Sequence, residues 1–223
     1  MLNLPKSTEF NKRIPKQKFY DNLNVTAAIK QIFVEQIKTI FWKNKISPST
    51  TNLAEGKTVT EIEIFEIKLN TPALDESILK LIDKGIPYHI LFILSYDDKF
   101  QLWIGYKEKL DRTTAFKVGQ YYHTEWSGNP EIVIQGLDMD KVYENFVRQI
   151  AGDSLSNGGN ESLQESVQRQ QEKENLKKQI DKLAKAVNKE KQFNRQIELN
   201  QQLKMLKKQL EVMNNGKNEN ANA

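Results

Sequence analysis

The chain has 223 residues, with 33 Lys and Arg against 29 Asp and Glu, a formal net charge of +4 and no cysteine. The lack of cysteine excludes disulfide scaffolds, thiolate metal sites and cysteine nucleophiles. No run approaches the roughly 20 apolar residues that span a bilayer, and no apolar run follows the opening MLNLPKS. The sequence therefore predicts a soluble cytoplasmic protein without a secretory signal.

Positive charge is concentrated at the N-terminus. Residues 1–50 contain nine Lys or Arg and three Asp or Glu, so their net charge of +6 exceeds that of the whole chain. We interpret residues 1–25 as a basic arm, in which Phe10, Phe19 and Tyr20 are interspersed among the cations. Clustered cations with aromatic neighbours suit nucleic acid. A solvated leader and a segment that docks on an acidic protein are the alternatives. The residues predicted to contact nucleic acid are Lys12, Arg13, Lys16 and Lys18.

A helix is predicted to begin at the N-cap Thr26 and to run through AAIKQIFVEQIKTIFWKN. Its apolar residues recur at spacings of three and four, which is typical of an amphipathic helix. They are Ile29, Ile32, Phe33, Ile37, Ile40 and Phe41.

Alternating strands and helices follow as far as residue 152. TEIEIFEIKLN reads as a strand, TPALDESILKLIDKG as a helix, and IPYHILFILSY with FQLWIGYKE as a hairpin. TAFKVGQYYHTEW supplies a further strand or two, and LDMDKVYENFVRQIA is an amphipathic helix. Its predicted inward residues are Val142, Tyr143, Phe146, Val147 and Ile150. Residues 26–152 are thus predicted to form one α/β domain, a mixed sheet with flanking helices.

A helical tail is predicted beyond a linker at residues 153–160. Residues 161–213 contain neither Gly nor Pro, and two sets of apolar residues keep a heptad spacing. The first set is Leu176, Ile180, Leu183 and Val187; the second is Leu199, Leu203, Leu206, Leu210 and Met213. The two sets are out of phase, which predicts a coiled-coil tail that is either a helical hairpin or one long helix that changes its contact face. Residues 214–223 are expected to be disordered.

Within TEIEIFEIKLN, Glu66 and Lys68 follow Ile62 and Ile64 on the same face of the strand. A Glu-x-Lys strand is typical of restriction-type nucleases, in which the carboxylate holds a divalent cation and the lysine assists the attacking water. Glu66 is then the candidate metal ligand, and Mg²⁺ the cofactor.

That chemistry also needs a further acid on a neighbouring strand. No aspartate lies between Asp21 and Asp75, and the substitutes are Glu55, Glu61 and Glu63. The alternative is a strand half covered by the core, with Ile62 and Ile64 under the N-terminal helix and Glu66 and Lys68 at the surface.

Two histidines complete the set of candidate catalytic residues. His89 lies in the most apolar strand and is expected to be a core residue. His123 and Glu125 are two residues apart, the strand spacing of a candidate imidazole–carboxylate pair. The sequence contains no Walker A loop, no dinucleotide-binding glycine motif and no HExxH motif, so we expect no cofactor outside the nuclease alternative.

Several blocks of the sequence resemble a bacterial family classed as a domain of unknown function. They are LPKSTEFNKRIPKQKFY, VTEIEIFEIKLN, IPYHILFIL, WIGYKE, YYHTEW, VYENFVRQIAG and EKQFNRQIELNQQLKMLKKQLE, and together they extend over nearly the whole chain. The resemblance implies a gene encoded beside DNA methyltransferases and helicases, in restriction-like or phage-defence loci. It implies no established activity and no catalytic residues.

Two functions follow as expectations. The first is a non-catalytic accessory subunit of a DNA modification or restriction-like defence assembly. Its tail would dock a protein partner such as a methyltransferase or helicase, or a second copy of the chain, and its arm would contact DNA or RNA. The alternative is a divergent metal-dependent nuclease that uses Glu66 and Lys68.

Overall fold

The computed structural model describes residues 2–110, 116–155 and 161–215. The chain divides into two compact units, Met1–Gly152 and Asp153–Ala223. The strands are β1 (Glu9–Ile14), β2 (Ile37–Ile46), β3 (Ile62–Leu69), β4 (His89–Tyr96), β5 (Lys99–Lys109) and β6 (Phe116–His123). The helices are α1 (Lys16–Asn22), α2 (Ala27–Gln36), α3 (Glu76–Gly85), α4 (Met139–Ala151), α5 (Leu163–Lys189) and α6 (Phe193–Asn215). No described helix is long and apolar enough to cross a membrane.

The first unit is a six-stranded mixed sheet whose strands lie in chain order, β1 to β6. All neighbours are antiparallel except β3 and β4, which are parallel and joined through α3. A parallel pair needs such a crossover, because the chain must return to the starting end of the sheet. The predicted fold class, a mixed sheet with flanking helices, is confirmed, as is the hairpin of β4 and β5.

One face of the sheet packs against α1, α2 and α3. The alternate residues Phe65, Ile67 and Leu69 of β3 point to this face, since side chains of a strand alternate between the two sides. The other buried members of the cluster are Phe19, Phe33, Ile37, Ile40, Ile78, Leu79, Ile82, Ile90, Phe92, Leu94 and Tyr121.

The opposite face packs against α4. The Tyr143 ring of α4 lies 4.2 Å from the ring of His89, which shares a face of β4 with Leu91 and Ile93. The five residues predicted to point inward from α4 are all buried, which confirms that part of the prediction. Ile62 and Ile64 belong to this face as well. The prediction that they pack under the N-terminal helix is therefore wrong.

The N-terminal helix is shorter than predicted. Thr26 caps it as predicted, because its side chain accepts a hydrogen bond from the backbone N–H of Ile29. The helix ends at Gln36, however, and the continuation IKTIFWKNKI is strand β2. Its isoleucines fit a helical stripe and a strand equally well. The segment forms a strand because it pairs with β1 on one side and β3 on the other. Its β-branched and aromatic residues also favour the strand conformation.

Residues 1–25 do not form a free arm over their whole length. Residues 9–14 are β1, the edge strand beside β2, and residues 16–22 are α1 on the face of the sheet that carries α2 and α3. The register of β1 on β2 sets the positions of Lys12 and Arg13, whereas Lys16 and Lys18 belong to α1.

The second unit is a hairpin of two antiparallel helices. A capping box of Ser162 and Glu165 opens α5. The chain leaves the helix after Lys189 and resumes at Phe193, which explains why the two heptad sets are out of phase. The hairpin form of the tail is confirmed and the single long helix is wrong. Of the predicted linker, residues 153–155 form a 3-10 turn and residues 156–160 lie outside the described residues. Asn214 and Asn215 extend α6, and residues 216–223 also lie outside the described part.

A buried ion pair joins the end of α3 to β5. The Lys107 Nζ lies 2.9 Å from Asp83 Oδ1, and both side chains are buried. The Lys107 ammonium also donates to three backbone carbonyls, those of Asp83, Ile86 and Tyr88. The Tyr121 hydroxyl donates to the other oxygen of Asp83. Burial raises the pKa of Asp83 and lowers that of Lys107, and their mutual attraction opposes both shifts.

The same segment of β5 carries a bulge, and a side chain of α4 makes the backbone hydrogen bonds that the bulge leaves open. The pairing of β5 with β6 shifts register between Gly105 and Lys107, which takes backbone groups out of the ladder. The Tyr143 hydroxyl donates to the Gly105 carbonyl at 2.8 Å and accepts from the Lys107 N–H at 2.7 Å. Burial raises the pKa of Tyr143 well above its ordinary value, so the hydroxyl keeps its proton.

Replacing Lys107 by Met should destabilise the protein by roughly 3–5 kcal/mol, because Asp83 would remain buried without its counter-ion. The measurement is urea unfolding of the full chain. Lys80→Met is the matched control on α3, since Lys80 pairs at 2.6 Å with Glu76 at the surface. It should cost no more than about 0.5 kcal/mol. Equal losses in the two variants would refute a stabilising role for the buried pair.

Candidate functional site

Glu66 lies on the face of β3 that points away from α1, α2 and α3. It is only 4% exposed, and Ser95 Oγ donates to its Oε1 at 3.0 Å. The ammonium groups of Lys43 and Lys68 each approach a Glu66 oxygen to 4.0 Å. The prediction that Glu66 lies at the surface is wrong. Lys68 does lie at the surface, with 49% of its side chain exposed.

The register of the sheet explains this arrangement. Glu66 lies opposite Phe41 of β2 and Ile93 of β4, so it has neighbours on both sides. Ser95 follows Ile93 on the same face, within reach of the carboxylate. Beside these residues is a cleft of about 500 Å³. Its lining is Lys38, Glu66, Lys68, Leu69, Asn70, Ser95, Tyr96, Asp97 and Phe100.

Few of the acids predicted for a metal-dependent nuclease lie beside Glu66. The residue opposite it on β2 is Phe41 rather than a second acid. Glu63 has the opposite strand parity, and Glu61 is paired with Lys45 at 2.6 Å. No group of three or more His, Asp or Glu side chains in the described part of the chain could hold a metal ion. The groups within ion-pair distance of Glu66 are the ammonium groups of Lys43 and Lys68, which attract anions and repel divalent cations. A second acid, Asp97, belongs to the lining of the same cleft.

Four cations lie around Glu66 on this face of the sheet. Arg13 of β1 is opposite Phe41 in the register, and Lys68 is opposite Thr39. Lys38 lines the cleft, and Lys43 reaches Glu66. The Lys68 ammonium also lies 5.6 Å from the centre of the partly exposed Phe41 ring. We define the basic face as Arg13, Lys38, Phe41, Lys43 and Lys68.

The four cations predicted to contact nucleic acid do not share one surface. Arg13 belongs to the basic face. Lys12 is opposite Trp42 and lies 4.4 Å above the Phe10 ring, so it has the other strand parity. Lys16 donates to the Ile37 carbonyl, and burial lowers its pKa. Lys18 is exposed on α1.

The remaining members of the basic face were missed by the sequence analysis for two reasons. Lys38 and Lys43 fall in β2, which was predicted to be helix. Lys68 was interpreted as half of a catalytic pair rather than as one cation among four. The alternation of IKTIFWKNKI, read as a strand, would have been the signal that places Lys43 beside Glu66.

The two histidines are held by structural contacts. His123 Nδ1 lies 3.1 Å from Gln101 Nε2, and its ring stacks on Trp103 at 4.4 Å. No hydrogen bond or ion pair among the described residues joins His123 to Glu125. His89 is buried in the sheet, as expected, and burial lowers its pKa to about 3.

A family model for a domain of unknown function, DUF4391, matches residues 2–210. The chain belongs to this family. No curated protein and no solved structure matches the chain. The family match covers both the sheet unit and most of the helical hairpin, so the two units together are the family's domain.

The charge of Glu66 is expected to contribute little to stability. In Glu66→Gln the side-chain carbonyl still accepts from Ser95, and Lys43 and Lys68 lie at the distance limit of an ion pair. We expect a loss of no more than about 1 kcal/mol in urea unfolding. Glu66→Leu should cost more, about 1–3 kcal/mol, because the Ser95 hydroxyl loses its acceptor. If Gln is as damaging as Leu, the charge itself holds the strand in place.

Proposed function

We propose that this protein is a non-catalytic accessory subunit of a DNA modification or restriction-like defence assembly. In this proposal the basic face contacts the nucleic-acid backbone, and the helical hairpin docks a protein partner such as a methyltransferase or helicase. The observation that carries the proposal is the grouping of Arg13, Lys38, Lys43 and Lys68 on one face of the sheet.

The chemistry of the basic face suits phosphate groups and stacked bases rather than one base sequence. Its cations lie on a pleated surface, with the Phe41 ring among them. Cations that follow the backbone, together with an aromatic side chain on which a base stacks, are typical of sequence-independent binding to single strands. Glu66 is a buried counter-charge, and the ammonium groups of Lys43 and Lys68 each lie 4.0 Å from one of its oxygens. A phosphate would compete with it for both ammonium groups.

The hairpin leaves apolar side chains without cover among the described residues of its own unit. Phe193, Met205 and Val212 are largely exposed on α6. A groove of about 750 Å³ runs between α5 and α6, and its apolar lining includes Leu176 and Met213. Two helices cannot bury a heptad seam from both sides, and a third amphipathic helix fits such a groove. We propose that a helix of the protein partner occupies it.

Neutralising the basic face should weaken nucleic-acid binding and its dependence on salt. With Arg13, Lys38, Lys43 and Lys68 all replaced by Gln, the slope of log K against log salt should fall by about three. Fluorescence anisotropy with labelled single- and double-stranded DNA, titrated at several salt concentrations, measures this. Glu66→Gln should act in the opposite direction and tighten binding, because it removes a negative charge from the same surface.

The matched control replaces four exposed lysines elsewhere by Gln, namely Lys12, Lys18, Lys80 and Lys84. It changes the net charge equally and should leave most of the slope intact. Equal effects of the two quadruple variants, or no binding at low salt, would contradict the proposed role of the basic face. Mg²⁺-dependent cleavage that disappears in Glu66→Gln would establish the nuclease instead.

Charged substitutions in the groove should prevent partner docking while the helices persist. In the full chain, Met205→Glu with Val212→Glu should remove a methyltransferase or helicase from the proteins that co-purify with it from the native host, as identified by mass spectrometry. Asn200→Glu with Asn214→Glu, which lie outside the groove lining, is the control and should retain the partner. Retention in both variants would refute docking in the groove. Loss of a homodimer instead would identify the occupant as a second copy.

A further inference from the structure

A second cavity lies on the other face of the sheet, under α1. Its volume is about 280 Å³, slightly below the range of roughly 300–1,000 Å³ that is usual for drug-sized ligands. Four aromatic side chains contribute to its lining, Phe19, Trp42, Phe65 and Tyr88. Phe19 and Phe65 are buried, whereas Tyr88 is 36% exposed, so Tyr88 is the ring that bulk water reaches most easily.

One carboxyl group belongs to the lining of this aromatic cavity. Glu63 is only 2% exposed, and no described residue donates a hydrogen bond to its Oε2. Burial, followed by the hydrogen bond to Glu61, raises the pKa of Glu63 to about 8, while Trp42 and Lys45 oppose the rise. Glu63 is therefore mainly an uncharged acid at pH 7. Its protonated oxygen needs an acceptor rather than a donor, and Glu61 supplies one.

The ionisable groups around Glu63 come from four parts of the sheet unit. Glu61, which precedes β3, is held by Lys45 of β2 at 2.6 Å. Lys18 of α1 and the Tyr88 phenol before β4 belong to the cavity lining. Among the described lining residues, Glu63 is the one acid and Lys18 the one base. Glu61 is already neutralised by Lys45, so the charge of Glu63 depends on what enters the cavity.

We propose that this cavity binds a small organic ammonium ion that carries methyl groups, with Glu63 as its counter-ion. Aromatic rings attract such a cation through their negatively polarised faces, and its methyl groups pack against the apolar walls. An inorganic cation fits poorly, because it requires several oxygen ligands and the walls are mostly apolar. The cavity volume suits a headgroup of the size of choline.

Binding of the cation is coupled to loss of a proton from Glu63. The cation replaces the proton as the partner of the carboxylate, so the free protein must release the proton on binding. The affinity should therefore rise as the pH rises toward 8, by about tenfold for each unit, and become constant above it. A neutral ligand of the same shape would show no such dependence.

The test is isothermal titration calorimetry of the full chain with choline and with its neutral isostere 3,3-dimethyl-1-butanol. We expect choline to bind and the isostere to bind at least tenfold more weakly. Titrations at pH 7 in two buffers of different ionisation enthalpy should show release of nearly one proton for each choline bound. Absence of choline binding, equal binding of the isostere or binding without proton release would overturn the proposal.

Three variants connect the binding to this cavity. Glu63→Gln keeps the shape and the neutral state that Glu63 has at pH 7, so it should fold and should no longer bind choline. Tyr88→Leu should weaken binding by about threefold to tenfold through the loss of one aromatic ring. Glu66→Gln changes a buried glutamate on the opposite face of β3 and should leave choline binding unchanged. Unchanged affinity in both Glu63→Gln and Tyr88→Leu would place the ligand elsewhere.

Discussion

The sheet unit depends most on the buried ion pair and the hydrogen bonds that the Lys107 ammonium makes. The ammonium binds the end of α3 and the loop before β4, and thereby fixes the one parallel connection of the sheet. Asp83 and Tyr121 also come so close to the backbone of β5 that no side chain fits at Gly105. A Cβ on Gly105 would lie 2.9 Å from both Asp83 Oδ2 and the Tyr121 ring, so glycine is needed there. The bulge at the same point is completed from the other face by Tyr143. Residues 105–107 of β5 thus contact α3 on one face of the sheet and α4 on the other.

Strand β3 contains two buried glutamates that are stabilised in different ways. Glu66 has a hydroxyl donor in Ser95 and two ammonium groups at 4.0 Å, so its charge is balanced by the protein. Glu63, on the opposite face, has an apolar cavity on one side and the carboxylate of Glu61 on the other, and a proton balances it instead. Burial of a carboxylate is costly unless it is paired or protonated. The two faces of one strand therefore present a cationic surface and a neutral acid.

The sequence predicted the fold class, the amphipathic helix α4 and the change of heptad phase within the tail, because each depends on local periodicity. It left open whether the tail turns back as a hairpin or continues as one helix. It failed at β2, where Ile37 and Ile40 fit a helical stripe and only pairing with strands distant in sequence decides the outcome. Because β2 was predicted to be helix, Lys38 and Lys43 were not placed beside Arg13 and Lys68, and the basic face was not predicted. The Lys107 cluster could not have been predicted, since it joins residues 24 positions apart through a bulge that has no sequence signal. Strand parity alone places Glu63 and Glu66 on opposite faces of β3, but parity does not predict how deeply either is buried.

The charges around Glu66 act in opposite directions on a divalent metal ion and on a phosphate. A divalent ion beside Glu66 would face two ammonium groups that already lie 4.0 Å from the carboxylate oxygens. Their repulsion of the ion would offset the attraction of the Glu66 carboxylate, because both act over comparable distances, and Asp97 is the second acid in the cleft lining. A phosphate meets the reverse situation, with Arg13, Lys43 and Lys68 attracting it and the acids Glu66 and Asp97 opposing it. In the proposed function, Lys68 of the Glu-x-Lys pattern is therefore a surface cation that attracts a phosphate, and Glu66 is the buried acid behind it.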